Sequence, residues 1–194
     1  MSTRSHPSIY KPTLDLPDFT GKDGAHLRAP EHGDETELLA LLDANRPYLE
    51  RHQWWTRGVR DWLSAHRHVV NAIGCNMEGS WLQYYAAAGP SGQRGPIRGS
   101  VTAYDVNFNE GEAKIGWWVA EAAQGQGLAT VAARRLIDEI YNTRAVDCVE
   151  ADIAVDNDAS KRLASRLGFV VVGEPYATVE GHQTYMMNRW EKQL

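Results

Sequence analysis

Residues 119–141 read VAEAAQGQGLATVAARRLIDEIY and join a short apolar strand to an amphipathic helix through a turn of glutamine and glycine. Gly125 and Gly127 carry no Cβ, so the backbone of Gln124, Gly125, Gln126, Gly127, Leu128, Ala129 and Thr130 can curl its N–H groups toward one point. The helix behind the turn adds unpaired N–H groups and the positive end of its dipole. Leu128, Val131, Ala132, Leu136 and Ile140 recur at helical spacing, with Arg134, Arg135, Asp138 and Glu139 on the other side. The stretch predicts a helix from near Gly127 and an anion cradle at its start. A glycine-rich turn that binds nothing is the other reading of the same residues.

What the turn lacks narrows the anion. There is no Gly-Lys-Ser/Thr of a P-loop and no third glycine of a dinucleotide fingerprint. The turn does carry Gln-x-x-Gly-x-Ala, as Gln124, Gly127 and Ala129. Asn157 follows 28 residues after Ala129 and opens NDASKRLASRLGFVVVGE (157–174), with Asn-x-x-Ser ahead of Leu-Gly-Phe. Upstream lie AKIGWWV (113–119), NRPYLERHQWW (45–55) and HLRAPEHGD (26–34). In this order and spacing the segments, from about Ala25 to Trp190, resemble the GNAT N-acyltransferase superfamily, whose acyl-CoA signature has the Gln-x-x-Gly-x-Ala form. They are most similar to its branch that acetylates ribosomal-protein N-termini and related antibiotic or peptide amines.

Around these motifs, periodicity predicts a strand at 25–29, a helix at 34–45 and a second helix at 57–73. Paired strands at 81–88 and 97–104 are joined by GPSGQRGP, and a strand at 112–119 enters the turn. Beyond the main helix come a strand at 146–155, a short helix at 160–167 closed by Gly168, and strands at 170–172 and 182–188. Hairpins followed by alternating strands and helices predict an α/β (α+β) fold with a mixed sheet. The resemblance implies a mostly antiparallel central sheet with splayed strands, flanked by helices. Residues 1–23, with three prolines and little periodicity, read as an extended N-terminal arm ahead of a single domain at 24–194.

The 194 residues, 43% hydrophobic with a net charge of -5, suit one well-filled domain. No apolar run approaches the roughly 20 residues of a membrane span, and the N-terminus has no signal-peptide core, so a cytoplasmic protein without membrane contact is expected. The acidic balance does not indicate nucleic acid. Cys75 and Cys148 lack metal-ligand spacing, and His66 and His68 would point to different sides of a helix, so no metal is expected.

The resemblance also implies roles. The backbone of Trp118 and Val119 would flank the pantetheine arm of acetyl-CoA, and the amides of Gln124 to Thr130 would receive its pyrophosphate. Asn157 and Ser160 would contact the cofactor arm, with Ser160 donating to the departing sulfur. As residues before a helix, Asn157 and Ser160 also read as caps, and both roles stay open. Ala164 stands where many relatives carry a tyrosine acid, which removes that mechanism. Glu180, in TVEGHQTY, falls where the branch carries an acidic residue, making it the candidate base. His182 would share its strand face, and Glu112 and Asp105 are further carboxylates. Trp54, Trp55, Tyr84 and Trp117 are candidates for an aromatic acceptor pocket, core packing being the alternative, and Arg46 for pairing with an acceptor anion.

The expected activity is N-acetyl transfer from acetyl-CoA to a primary amine: a peptide or protein N-terminus, an amino acid or a small-molecule or antibiotic amine. A related acyl-CoA or aminoacyl carrier as donor, and a non-catalytic CoA sensor, are the competing expectations. The partners are then a CoA thioester and an amine acceptor, in a monomer or homodimer.

Overall fold

A computed structural model of the chain describes residues 13–16, 24–79, 81–90, 93–107, 109–142, 146–180 and 183–194. The strands are β1 (Thr13–Asp15), β2 (Ala25–Arg28), β3 (Leu82–Ala88), β4 (Ile97–Asn107), β5 (Glu112–Val119), β6 (Cys148–Ala154), β7 (Val170–Glu180) and β8 (Gln183–Gln193). The helices are α1 (Glu35–Leu49), α2 (Trp62–Glu78), α3 (Leu128–Asn142) and α4 (Asp158–Leu167). One sheet holds all eight strands in the order β1-β2-β3-β4-β5-β6-β8-β7. Its neighbours are antiparallel except β5 and β6.

The parallel pair positions the site. β5 and β6 are in register only at Glu112 with Cys148, Ala113 with Val149 and Lys114 with Glu150. Beyond these pairs β5 runs on to Val119 and β6 to Ala154 without pairing to each other, so the sheet opens there into a gap. This is the splayed centre that the resemblance implied.

Two cores lie on opposite faces of the sheet. Leu128, Ala132, Ala133, Leu136, Ile137 and Ile140 of α3 pack with Ala113, Ile115, Trp117 and Val119 of β5, and with Leu163, Ala164 and Leu167 of α4. Leu38, Leu42 and Leu49 of α1 and Ala65 and Val69 of α2 pack with Tyr85 and Trp118 on the other face. Adjacent residues of β5 thus serve different layers, as the strand period of two requires. Full burial of each Leu or Ile of α3 contributes about 1.5–3 kcal/mol, and this packing holds the glycine turn against β5.

Several expected boundaries move. α2 begins at Trp62 rather than residue 57, because Asp61 accepts from Ser64 N–H (2.7 Å) and Ser64 Oγ in turn accepts from Asp61 N–H (3.0 Å), a capping box. The segment ahead of it, Trp54–Gly58, is a 3-10 turn. α1 continues past Asn45 with Pro47 inside it. The last two strands form a hairpin of two eleven-residue strands rather than two short pieces. Within the N-terminal 23 residues, Thr13–Asp15 pairs with β2, and Leu14 and Leu16 reach the core.

Candidate functional site

Gly125 and Gly127 have φ of 72° and 80°, left-handed values that side-chain-bearing residues rarely adopt. A Cβ on either would meet nothing within 4 Å, so the space beside the turn is open. Val131 N–H donates to Gly127 O (3.0 Å), an i to i−4 bond. The N–H groups of Gly127, Leu128, Ala129 and Thr130 lie ahead of it, where a helix leaves donors without an intrahelical acceptor. Gln124, Gly125, Gln126 and Gly127 are exposed, while Leu128 anchors the turn in the core. Gln126 folds back, its Nε2 donating to Ala122 O (3.1 Å). Four donors, a dipole end and open space together form a cradle for a phosphate-bearing group.

The open edge of β5 continues from this cradle. Ala120 N–H donates across to Arg98 O on the β4 side (2.8 Å), so by ladder alternation Trp118 also turns its backbone groups toward β4. Those of Trp117 and Val119 point into the gap. The backbone edge expected at Trp118 and Val119 is therefore carried by Trp117 and Val119, while the Trp118 indole packs beneath α1 and α2. The two carbonyls in the gap are engaged from the α1 side: Tyr48 Oη donates to Val119 O (3.1 Å) and Gln53 Nε2 to Trp117 O (3.2 Å).

Across the gap stands the start of α4. Asn157 is its N-cap and accepts from Ser160 N–H (3.1 Å). The Ser160 hydroxyl is not used in the cap. It accepts from the Trp117 indole N–H (3.3 Å), which spans from β5 to α4, and its own proton stays available. Asn157 thus takes the capping role, and Ser160 Oγ is placed beside the open edge. Ala164 is fully buried in the core.

On the opposite sheet face a cleft of about 620 Å³ opens onto the same gap. Trp54, Trp55, Trp81, Tyr104, Tyr176 and Tyr185 supply aromatic wall. Trp55 stacks on His68 (ring centroids 4.8 Å apart) and its Nε1 donates to Gln53 Oε1 (2.9 Å), so the carboxamide that touches β5 also holds the cleft's roof. Burial pushes the His68 imidazole down to about 4, which keeps it neutral beside Gln83 Nε2 (3.2 Å). The floor is polar: Lys114 Nζ lies 3.2 Å from Asp152 Oδ2 and 3.9 Å from Asp105. Asp105 has φ 51°, the one left-handed non-glycine among the described residues, at a register shift in β4. Burial, with Asp152 next in weight, raises the Tyr104 and Tyr176 phenols well above the ordinary tyrosine range and keeps them protonated donors.

The cleft gathers Trp54, Trp55, Trp117 and Asp105 from the acceptor and carboxylate candidates. Arg46, Tyr84 and Glu112 do not line it. Arg46 is spent within the protein, donating to Thr56 O (3.0 Å) and Val59 O (2.6 Å) and pairing with Asp43 and Glu50, so it ties α1 to the 3-10 turn. Tyr84 is fully buried in the α3-side core, not in the cleft. Glu112 is exposed at the start of β5, away from the splayed end. Glu180 ends β7, paired with Gln183 and two positions beyond the cleft residue Thr178; its side chain, and the whole of His182, lie outside the described residues. Asp152, Gln83, Tyr176 and Arg189 escaped sequence reading, and His68 was weighed there only as a metal ligand, since only the pairing of distant strands and the packing of α2 bring them together. Among the described residues no group of three or more His, Cys, Asp or Glu is placed to hold a metal, and no helix is long and apolar enough to cross a membrane.

The chain is similar to YdaF of Bacillus subtilis (strain 168), provisionally named a ribosomal N-acetyltransferase, with 29% identity over 80 residues. That match covers 41% of this chain and 44% of YdaF, so it spans less than half of the relative. Among solved structures it is similar to the microcin C7 self-immunity acetyltransferase MccE in complex with acetyl-CoA and AMP, at 21% identity and TM-score 0.84 over 96% of this chain and 99% of that one. It is also similar to RimL, a ribosomal L7/L12 α-N-protein acetyltransferase in complex with coenzyme A, at 19% identity and TM-score 0.80 over 94% and 98% of the two chains. At such identities these structures establish the fold. Residues 25–170, about three quarters of the 194, match the family described as acetyltransferase (GNAT) domain, and the chain belongs to the GNAT acetyltransferase family.

Proposed function

We propose that this protein is a cytoplasmic N-acetyltransferase that moves an acetyl group from acetyl-CoA to a primary amine by direct attack. The observation that carries the reading is the gap between β5 and β6, which connects the anion cradle at α3 with the aromatic cleft on the other sheet face. The molecules bound in similar solved structures support it, the donor acetyl-CoA in MccE and coenzyme A in RimL.

The amides of Gly127 to Thr130 are suited to a pyrophosphate, and the backbone edge of Trp117 and Val119 to the amides of a pantetheine arm. When bound, acetyl-CoA supplies an activated acyl carbon and a thiolate leaving group. Trp117 N–H, directed into the gap, can donate to the oxyanion that forms on attack. Ser160 Oγ, already oriented by the Trp117 indole, can give its proton to the departing sulfur. The acceptor comes from the cleft and needs a neutral nitrogen. An α-amine near pKa 8 reaches that state at neutral pH far more readily than a lysine amine near 10.4, which favours N-terminal or other low-pKa amines.

Mass spectrometry of the protein with acetyl-CoA and a panel of α-amino peptides, amino acids, polyamines and amine antibiotics tests the reading. Acetylated product with stoichiometric CoA release is expected. Transfer only from a longer acyl-CoA or an aminoacyl carrier would change the donor, CoA binding without transfer would favour a sensor, and no CoA binding would refute all three.

A further inference from the structure

Asp152 is on β6, two residues past the last β5–β6 pair, where the sheet begins to open. Its neighbours Ala151 and Ile153 enter the α3-side core, so alternation turns Asp152 to the cleft. Lys114 Nζ lies 3.2 Å from Oδ2, and Oδ1 is buried with no donor at full hydrogen-bond geometry, the Tyr176 phenol being the nearby hydroxyl that burial and the carboxylate hold protonated. A carboxylate oxygen left so is costly unless something supplies a donor, and most buried polar atoms in folded proteins do have one. Lys114 is shared with Asp105, 3.9 Å away. Arg189, the register partner of Asp152, leans toward Glu150 at 3.8 Å and over the Tyr176 ring. The phenols of Tyr104 and Tyr176 complete the surroundings.

We propose that Asp152 is the group that recognises the acceptor: its carboxylate binds the acceptor's ammonium at the mouth of the gap, supplying the ion pair that Lys114 leaves half made. This rests on the acyl-transfer reading and names its acceptor determinant, a cationic amine carried by an apolar or aromatic body that fits the walls of Trp54, Trp55 and Tyr104. An ammonium bound there sits on the cleft side of the opening that Ser160 borders from the other side. Loss of one proton to solvent then leaves the nitrogen free to attack.

Two measurements test this, the first independent of turnover. Phenethylamine is titrated into CoA-saturated protein and followed by tryptophan fluorescence, in wild type, Asp152→Asn and Lys114→Met. The dissociation constant should rise at least tenfold in Asp152→Asn, should fall in Lys114→Met as the amine replaces the lost cation, and 2-phenylethanol should bind all three alike. In the second, acetyl transfer to the best acceptor of the panel should show a tenfold higher KM in Asp152→Asn with the KM for acetyl-CoA unchanged. That ratio should shrink as pH rises past the acceptor's own pKa, since a neutral amine gains nothing from the charge, and Asp152→Glu should recover part of the loss. A wild type that binds phenethylamine but transfers to no amine would sink the enzyme reading and leave this one standing. Equal amine affinity in wild type and both variants, or a KM ratio that does not change with pH, would overturn it.

Discussion

Gly127→Ala separates the folding role of the glycine turn from its binding role. At φ 80° an alanine is strained by about 1 kcal/mol. No clash adds to this, because the new Cβ meets nothing within 4 Å. For a chain of this size that is a fall in Tm of about 3 °C. The open space the methyl group enters is the space we propose for the phosphate, beside the four N–H groups of Gly127 to Thr130. CoA affinity should therefore drop by at least about tenfold, or 1.4 kcal/mol. Calorimetric titration with CoA and thermal unfolding measure both quantities on one sample. Gly99→Ala is the control in the opposite sense: its Cβ would lie 2.8 Å from Val119 Cα, and parting β4 from β5 should cost about 3 kcal/mol. A Gly127→Ala protein with the small loss in Tm and wild-type CoA affinity would refute the cradle.

Ser160→Ala should lower acetyl transfer by about a hundredfold or more with CoA affinity kept; a variant with wild-type kcat would remove Ser160 from the chemistry. Asn157→Ala should cost about 1 kcal/mol in urea unfolding through loss of the α4 cap. Asp34 is fully buried and accepts from Arg28 (two bonds of 2.8 Å), Arg94 (2.8 Å) and Glu31 N–H (2.8 Å). Asp34→Ala leaves the buried Arg28 unpaired and should destabilise by about 3–5 kcal/mol, read as a lower urea midpoint. His68 titrates near 6.5 unfolded but about 4 folded, so the unfolded chain binds more protons in that window. Stability should fall as pH drops from 6.5 toward 4, by about 3 kcal/mol from this group. His68→Gln should flatten that part of the pH–stability curve, and a curve of unchanged slope would contradict the assignment.

The glycine turn and the two helices beside it were legible in the sequence because their signals are local. Positive-φ glycines, an apolar stripe at helical spacing and a strand leading in all fall within residues 119–141, and Asn157 to Gly168 is one capped helix. The capping box Asp61-x-x-Ser64 was equally local and marks a start that helical periodicity alone placed too early. The β7–β8 hairpin was harder to see: Gly173 has φ 72°, pairing shifts between Val172 and Tyr176, and Val170, Val171, Val172 and Val179 are all exposed. A bulged edge strand open on both faces has no alternation to read. The residue before a proline usually leaves a helix, yet α1 runs through Pro47 and ends beyond the helix that periodicity predicts. The acceptor side was illegible for a different reason. Lys114, Asp152, Tyr176 and Arg189 meet only because β6 pairs with β8 and splays from β5, and Arg46 resembled a ligand-binding cation until the 3-10 turn supplied carbonyls for it.

The central claim is that the thioester enters the gap from the α3 side and meets an amine from the cleft side. A crystal structure with CoA tests it most directly. The account predicts pyrophosphate oxygens within hydrogen-bond distance of the amides of Gly127 to Thr130, pantetheine amides on the backbone of Trp117 and Val119, and the sulfur beside Ser160 Oγ. CoA bound in the aromatic cleft, or with its sulfur turned away from the β5–β6 opening, would contradict it.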